Sequence, residues 1–553
     1  MKQFFIFLIF CTWNVSGQNF YLKISGNGII ETKIIDSINY VKKHNNIKAV
    51  DDETRNFTDK LFKIGYPDNQ HFDLIKENDS VYGLKFELGK KLDFIHVYIG
   101  GNSELRNLQI FDSKSDTLVL PFQEIEKYLN DNLQKLESKG FALARLKLIN
   151  IERMKNYLTA ELFLINDKKR NLNEIVINGY AKFPEGYKKN INKRYAKQIF
   201  NKNHLKNIQE DFNKMRFVKQ TKYPEILFTT DSTKVFVYVE KAKTNTFDGF
   251  VGFANDDNKK IIFNGYVDLT LNNALNIGEK LALYWKSDGK KQSTFNIGTE
   301  IPYLFKSPIG VKAQLNIFRQ DSIFQNTKTN LDLGYYLNFN SKIYLGYQET
   351  ESNDIANKNT TVLSDSKNSF YTASYELIDY NNNDFLFPEK TNFNFKIGSG
   401  SRNAKTQRDK QFFLALTMNH HFYLNKQNAI NLKSQNYYLK SDNYLTNELF
   451  RFGGINSIRG FNENSLQASR LLSIMSEYQF VVSNSFYIHS VLDYGYFKDE
   501  ATKKSDKLLG FGFGFGIITK NGLFNFIYAN GSSGNQAIKF SNSVVQVSVK
   551  TSF

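Results

Sequence analysis

From residue 247 to residue 553 the chain is a succession of short segments in which apolar and polar residues alternate, separated by clusters of Asn, Asp, Gly and Ser. Successive side chains of a strand point to opposite faces, so each segment carries one apolar and one polar face. Ile261-Ile-Phe-Asn-Gly-Tyr-Val-Asp-Leu-Thr-Leu271 sets Phe263, Val267, Leu269 and Leu271 against Asn264, Tyr266, Asp268 and Thr270. Segments 281–285, 311–317, 331–337 and 343–347 repeat the pattern. Strands of about ten residues, apolar outside and polar inside, are what a transmembrane β-barrel requires, and residues 246–553 accommodate about sixteen of them. A soluble β-sandwich would also alternate, but with its apolar face turned inward and without need of export.

The start of the chain indicates export. Lys2 supplies a positive charge, residues 4–10 an apolar stretch, and Val15-Ser16-Gly17 a small-residue cleavage site, so residues 1–17 read as a secretory signal. The only cysteine, Cys11, lies inside that segment behind bulky Ile9 and Phe10, which is the wrong context for lipidation. The mature chain then has no thiol for disulfides or metal binding. Beyond the signal, no apolar run reaches the roughly 20 residues of a membrane helix, and mean hydropathy is −0.44. A membrane protein of this kind has to be a barrel. The 50 Phe and 31 Tyr, against 7 Pro, favour β-structure in the same way. A net charge of +17 raises the question of nucleic acid. No Lys/Arg run interleaved with aromatics supports that reading, and a Lys- and Asn-rich composition accounts for the charge.

Residues 18–245 read differently, as amphipathic helices alternating with short strands. In 18–91, Ile34, Ile35, Ile38 and Val41 recur at helical spacing, as do Phe57, Leu61 and Phe62 before Gly65-Tyr66-Pro67. In 92–168, Phe122, Ile125, Leu129, Leu133 and Leu136 form a helix face ending at Gly140, and strands follow at Leu146/Leu148 and Leu158/Ala160/Leu162/Leu164. In 169–245 the strand Asn173-Glu-Ile-Val-Ile-Asn-Gly179 precedes helices at 184–200 and 204–216 and strands at 226–228 and 235–239. A strand–helix–helix–strand–strand unit repeated every roughly 70–80 residues indicates small tandem domains.

Within the alternating half, Arg451-Phe-Gly-Gly-Ile-Asn-Ser-Ile-Arg-Gly-Phe461 is a Gly-punctuated loop whose tip is Ile458, Arg459, Gly460 and Phe461. An arginine fixed there needs an acceptor, and Glu477 and Asp493 follow it. Gly510-Phe-Gly-Phe-Gly-Phe-Gly516 lacks the spacing of a nucleotide loop. Its period of two puts four glycines on one strand face, where they weaken the strand or leave room for another backbone. His420 and His421 are adjacent and so point to opposite faces, and no metal set or nucleophile motif is found.

The loop tip with its two acids resembles the BamA/TamA superfamily of outer-membrane assembly factors. In that family a (Val/Ile)-Arg-Gly-(Phe/Tyr) loop folds back into a barrel and its Arg meets an acid on the inner wall. The tandem units resemble POTRA modules, notably at Lys139-Gly-Phe-Ala142 and Ile175-Val-Ile-Asn-Gly-Tyr180. Asn276-Ile-Gly-Glu-Lys280, Glu300-Ile-Pro-Tyr303, Tyr528-Ala-Asn-Gly531 and the terminal Phe553 are further family features. Phe387-Pro-Glu-Lys-Thr391 departs from Phe-Pro-x-Arg-Gly at its last two positions, and Val491 stands where the family prefers Phe or Gly.

The resemblance implies tandem α/β POTRA-like domains followed by an outer-membrane barrel of a Gram-negative bacterium, with the N-terminal part in the periplasm. It implies a TamA-like factor that inserts or translocates other proteins. Unfolded outer-membrane or secreted clients would be its partners, with the lipid bilayer and a periplasmic or inner-membrane protein. Arg459 would hold the loop inside through Glu477 and Asp493. The barrel would open at a lateral seam between its first strand, with Gly249 and Gly252 weakening the pairing, and its last, ending at Phe553. A two-partner-secretion transporter of a single exported protein is the alternative, although a third POTRA-like unit argues against it. A passive porin would leave the tandem units unexplained. No catalytic residue, metal or cofactor is expected, so the chain does not read as an enzyme.

Overall fold

The computed structural model describes residues 19–99, 115–165, 168–255, 261–288, 292–357, 359–381, 384, 386–405, 407–520, 522–534 and 543–553. The expected signal segment, residues 1–17 with Cys11, lies outside them.

Three small α/β domains come first. The first opens with the strand Phe20–Gly26, which pairs in parallel with Val81–Glu87. Helices Ile29–Asp36 and Ile47–Lys63 bury Ile35, Val50, Phe57 and Leu61 against that sheet. Ile38 and Val41, read above as part of a helix face, lie beyond the helix end. Ser37 caps that helix, and the chain returns in extended form to pair Lys43–His44 with the first strand. Phe62 is also half exposed rather than in the core. The second domain has a four-stranded sheet ordered Thr117–Pro121, Phe94–Tyr98, Tyr157–Ile165, Arg145–Arg153. Among its described residues one α-helix, Ile125–Ser138, covers the sheet and buries Leu136.

In the third domain Leu172–Asn178 pairs in parallel with Thr233–Lys241, which also pairs with Val218–Gln220 and Glu225–Phe228. Helices Glu185–Tyr195 and Lys202–Asn213 bury Ile191, Ile208 and Phe212. Tyr195 donates to Asp211 at 2.8 Å inside this domain. The first two domains form one compact body, whereas the third belongs to the body of the barrel.

Among the described residues sixteen antiparallel strands then close into a barrel, from Thr246–Asn255 to Ser543–Ser552. Neighbours pair in sequence order, with loop 441–469 inserted between the eleventh strand, Asn428–Lys440, and the twelfth, Arg470–Ser483. Burial alternates along the thirteenth strand, Phe486–Asp499: Tyr487, His489, Val491, Asp493 and Phe497 face inward, and Ile488, Leu492 and Tyr494 outward. Leu331, Leu345, Leu472 and Ile474 extend the outward apolar face. That surface suits lipid, since every strand edge within it must be paired.

One end of the barrel has short turns, and these seat the third domain. Tyr187 places its ring 4.6 Å from Tyr303 and 5.9 Å from Phe339. Burial raises its phenol well above the ordinary value, so it stays neutral there. Asn273 donates to the Tyr180 hydroxyl at 2.6 Å. Gly278, at φ +85°, passes so close to Tyr187 that a Cβ would lie 2.3 Å from its ring. The turn motifs at 276–280 and 300–303 are thus the docking surface for this domain.

Candidate functional site: a loop locked inside the barrel

Loop 441–469 enters from the long-loop end. Phe450–Phe452 and Leu466–Ala468 pair as a two-stranded ribbon, and beyond it Gly453 and Gly454 turn the chain with φ near +101° and +102°. Only glycine adopts such angles without strain. The ribbon is held by an apolar cluster in which Phe452, Ile458 and Ala468 pack on Leu471, Phe497 and Leu508 of the wall. Gly495 provides the space for Ile458, because a Cβ there would lie 2.2 Å from its Cδ1.

At the tip Arg459 is 2% exposed. Its Nε donates to Asp493 Oδ2 at 2.9 Å and its Nη2 to Oδ1 at 2.6 Å, while its backbone N–H donates to Oδ2 at 2.8 Å. Nη1 donates to Glu477 Oε1, and Gln479 donates to the other Glu477 oxygen at 2.9 Å. Bidentate, charge-assisted contacts of this kind fix geometry as well as charge. Their net worth is small, because desolvating three charges offsets most of the attraction. The arrangement therefore serves to position the loop. Lys433 and His489 lie 3.8 and 3.9 Å from Glu477, at the edge of the same network.

Gly460, at φ +86°, lies against Gly531, and a Cβ on it would sit 2.3 Å from the Gly531 nitrogen. Gly510 faces the Arg459 carbonyl in the same way. Of the four alternating glycines, then, Gly510 makes room for the loop, whereas Gly514 and Gly516 accommodate the rings of His489 and Tyr487. Phe461 joins the apolar cluster around Phe452.

A second anchor has no counterpart in the sequence reading. Arg402 and Asp409, on the ninth and tenth strands, are almost wholly buried and pair with each other, and Arg402 also pairs with Glu448 at the loop's base. Gln411 and Asn368 donate to the same Glu448 carboxylate at 2.8 and 3.1 Å. Asn447 donates to the Ser364 carbonyl at 2.8 Å. On the opposite wall Glu463 pairs with Lys286 and accepts from Tyr284 at 3.0 Å.

The expected seam residues are placed as follows. The first strand pairs with the second along its whole length, but among the described residues with the last strand only at Thr246↔Ser552 and Phe247↔Thr551. The Phe553 N–H adds one hydrogen bond to the Asn245 carbonyl at 3.0 Å. Gly249 and Gly252 pair with Val267 and Asn264 of the second strand, beyond the stretch that meets the last strand. The seam is short because the strands part after two residue pairs.

Comparison with known proteins fits this geometry. Residues 325–517 match the family model described as haemolysin secretion/activation protein ShlB/FhaC/HecB. The match runs from the sixth strand to the fourteenth and contains the whole loop, Arg402, Glu477 and Asp493. Among solved structures, CdiB from Acinetobacter baumannii is similar at 17% identity and TM-score 0.51, covering 84% of this chain and 90% of that one. CdiB from Escherichia coli is similar at 13% identity and TM-score 0.51, covering 92% and 97%. BamA from Haemophilus ducreyi lacking POTRA domains 1-3 aligns at 13% identity and TM-score 0.47, covering 82% and 97%. No curated protein sequence matches. The TamA-like reading gains no support from these comparisons. The chain thus shares with these structures the fold of an outer-membrane-type sixteen-strand barrel preceded by α/β domains, and residues 325–517 of its barrel are similar to the ShlB/FhaC/HecB family.

Proposed function

We propose that this protein is a two-partner-secretion-type transporter that moves an exported polypeptide across the outer membrane. One observation carries the reading: the segment that resembles haemolysin secretion/activation proteins is the one that contains the locked loop and both of its anchors. The three α/β domains would lie in the periplasm and capture the unfolded client by strand addition at open sheet edges, where main-chain hydrogen bonds supply affinity. The barrel interior would then be the route, with the loop as its movable obstruction. No cofactor or catalytic step is needed.

The short seam favours a second reading, assembly of other barrels. An unpaired strand edge in a bilayer is unfavourable unless a client strand pairs with it. Deleting the protein in its host separates the two. Loss of one or a few secreted proteins, with the outer-membrane barrel population unchanged, is the expected outcome. A broad fall in outer-membrane barrels would replace the export reading with the assembly reading.

A further inference from the structure

Two chambers lie inside the barrel beside the loop. One, of about 280 Å³, sits at the short-turn end above Arg216 and Phe217 of the third domain. The other, of about 650 Å³, extends along Phe450, Arg451 and Glu463 of the loop. Ala282, Gly298 and Gln314 line both, so the two chambers adjoin across these mostly small side chains and together make a candidate passage.

The charges along this passage are unequal. Lys312 and Lys342 are neutralised by Glu376 and Glu300, and Glu279 accepts backbone N–H groups of its own turn, from Leu275 and Ile277. Glu448 and Glu463 are held by Arg402 and Lys286. Arg216 lies over the Tyr380 ring at 5.2 Å, and Arg451 over Phe324 at 5.3 Å. Among the described residues, neither these two arginines nor Lys280, Lys328 or Lys396 has an ion-pair partner, which leaves five cations along the passage against Asp268, Glu279 and, near Lys328 and Lys396, Asp332. Low-dielectric walls focus such a potential and raise the local concentration of anions.

We infer that the passage receives an acidic, extended polypeptide segment, with Arg216 and Lys280 at its entrance and Lys396, Lys328 and Arg451 further along. The inference rests on the export reading and supplies the chemistry of its cargo. Carboxylates along an extended chain would meet half-buried cations that have no ion-pair partner among the described residues. Basic segments would be rejected by the same surplus, which is selection by repulsion.

The test uses the full-length protein in lipid nanodiscs and two fluorescent peptides of equal length, one of alternating Asp and Ser, the other of alternating Lys and Ser. Anisotropy should show the acidic peptide binding about tenfold or more tighter, with the preference shrinking as salt rises. Arg216→Glu with Lys280→Glu should abolish or reverse it. The milder Arg216→Gln with Lys280→Gln, checked for barrel folding by heat-modifiable migration, should weaken acidic binding alone. Equal affinity for both peptides, no binding of the acidic one, or indifference to the charge changes overturns the inference. Loss of export on deletion combined with any of those results would leave the transporter reading standing and remove only the cargo chemistry.

Discussion

Asp493 accepts three hydrogen bonds from Arg459, two from the guanidinium and one from the backbone N–H. A single carboxylate thus fixes both the side chain and the main chain of the loop tip. Arg459→Ala removes the cation and leaves Asp493 and Glu477 buried without it. The expected local cost is about 3–5 kcal/mol, as for other broken buried pairs. The barrel should still fold, while the loop becomes cleavable by protease added from outside the cell and export falls. Full activity with an unchanged protease pattern would refute the positioning role.

The second anchor predicts coupling. Glu448→Gln keeps the shape but removes the charge facing Arg402 and Asp409. Alone, it should loosen the loop's base while the tip remains bound, with little change in single-channel conductance. Combined with Arg459→Ala, it should free the loop entirely and raise conductance by more than the sum of the single changes. Strict additivity in this cycle would mean that the anchors hold separate bodies rather than one loop.

The glycines around Arg459 announce only a tight turn. The contact between Arg459 and its acids is legible because the loop tip followed by Glu477 and Asp493 resembles the BamA/TamA superfamily, and the resemblance implies that pairing. The second anchor is not. Arg402, Asp409 and Glu448 also sit at polar positions, but alternation specifies a face and not which strands lie across the lumen from one another, so pairing over 46 residues of separation cannot be read off it. The outward apolar belt follows from the same alternation and is plain in the segments around Leu331 and Leu345. The misjudged residues of the first domain, Ile38 and Val41, share helical spacing with Ile34 but fall beyond Ser37, where the cap ends the helix. Local spacing carries no information about that stop.

The docking of the third domain depends on Tyr187. Tyr187→Ala should cost about 3–5 kcal/mol at this contact, the usual range for losing a buried aromatic. Limited proteolysis should then separate the α/β domains from the barrel faster than in the parent protein. The Gly278→Leu change approaches the same contact from the barrel side and should have a similar effect.

Phe247 and Thr551 face each other across the seam, and directly paired strand residues have Cα atoms about 4.5–5.5 Å apart, within disulfide reach. With the only native cysteine at position 11, Phe247→Cys with Thr551→Cys gives an interpretable crosslink. Oxidation should leave export intact and abolish any barrel-assembly activity. Export lost on oxidation and restored by reductant would show that the wall itself has to part.

The loop touches strands on nearly every side of the lumen: the third through Tyr284 and Lys286, the sixth through Phe324, the eighth through Asn368, the ninth and tenth through Arg402 and Gln411, and the twelfth and thirteenth through Glu477 and Asp493. It braces the barrel like the spokes of a wheel, and among the described residues none of these spokes reaches the first or last strand. The rim is stiff wherever a spoke meets it and compliant where the two ends of the sheet join. Any force that a moving chain exerts on the loop would be felt around most of the circumference at once, and the wall would yield at that unbraced joint.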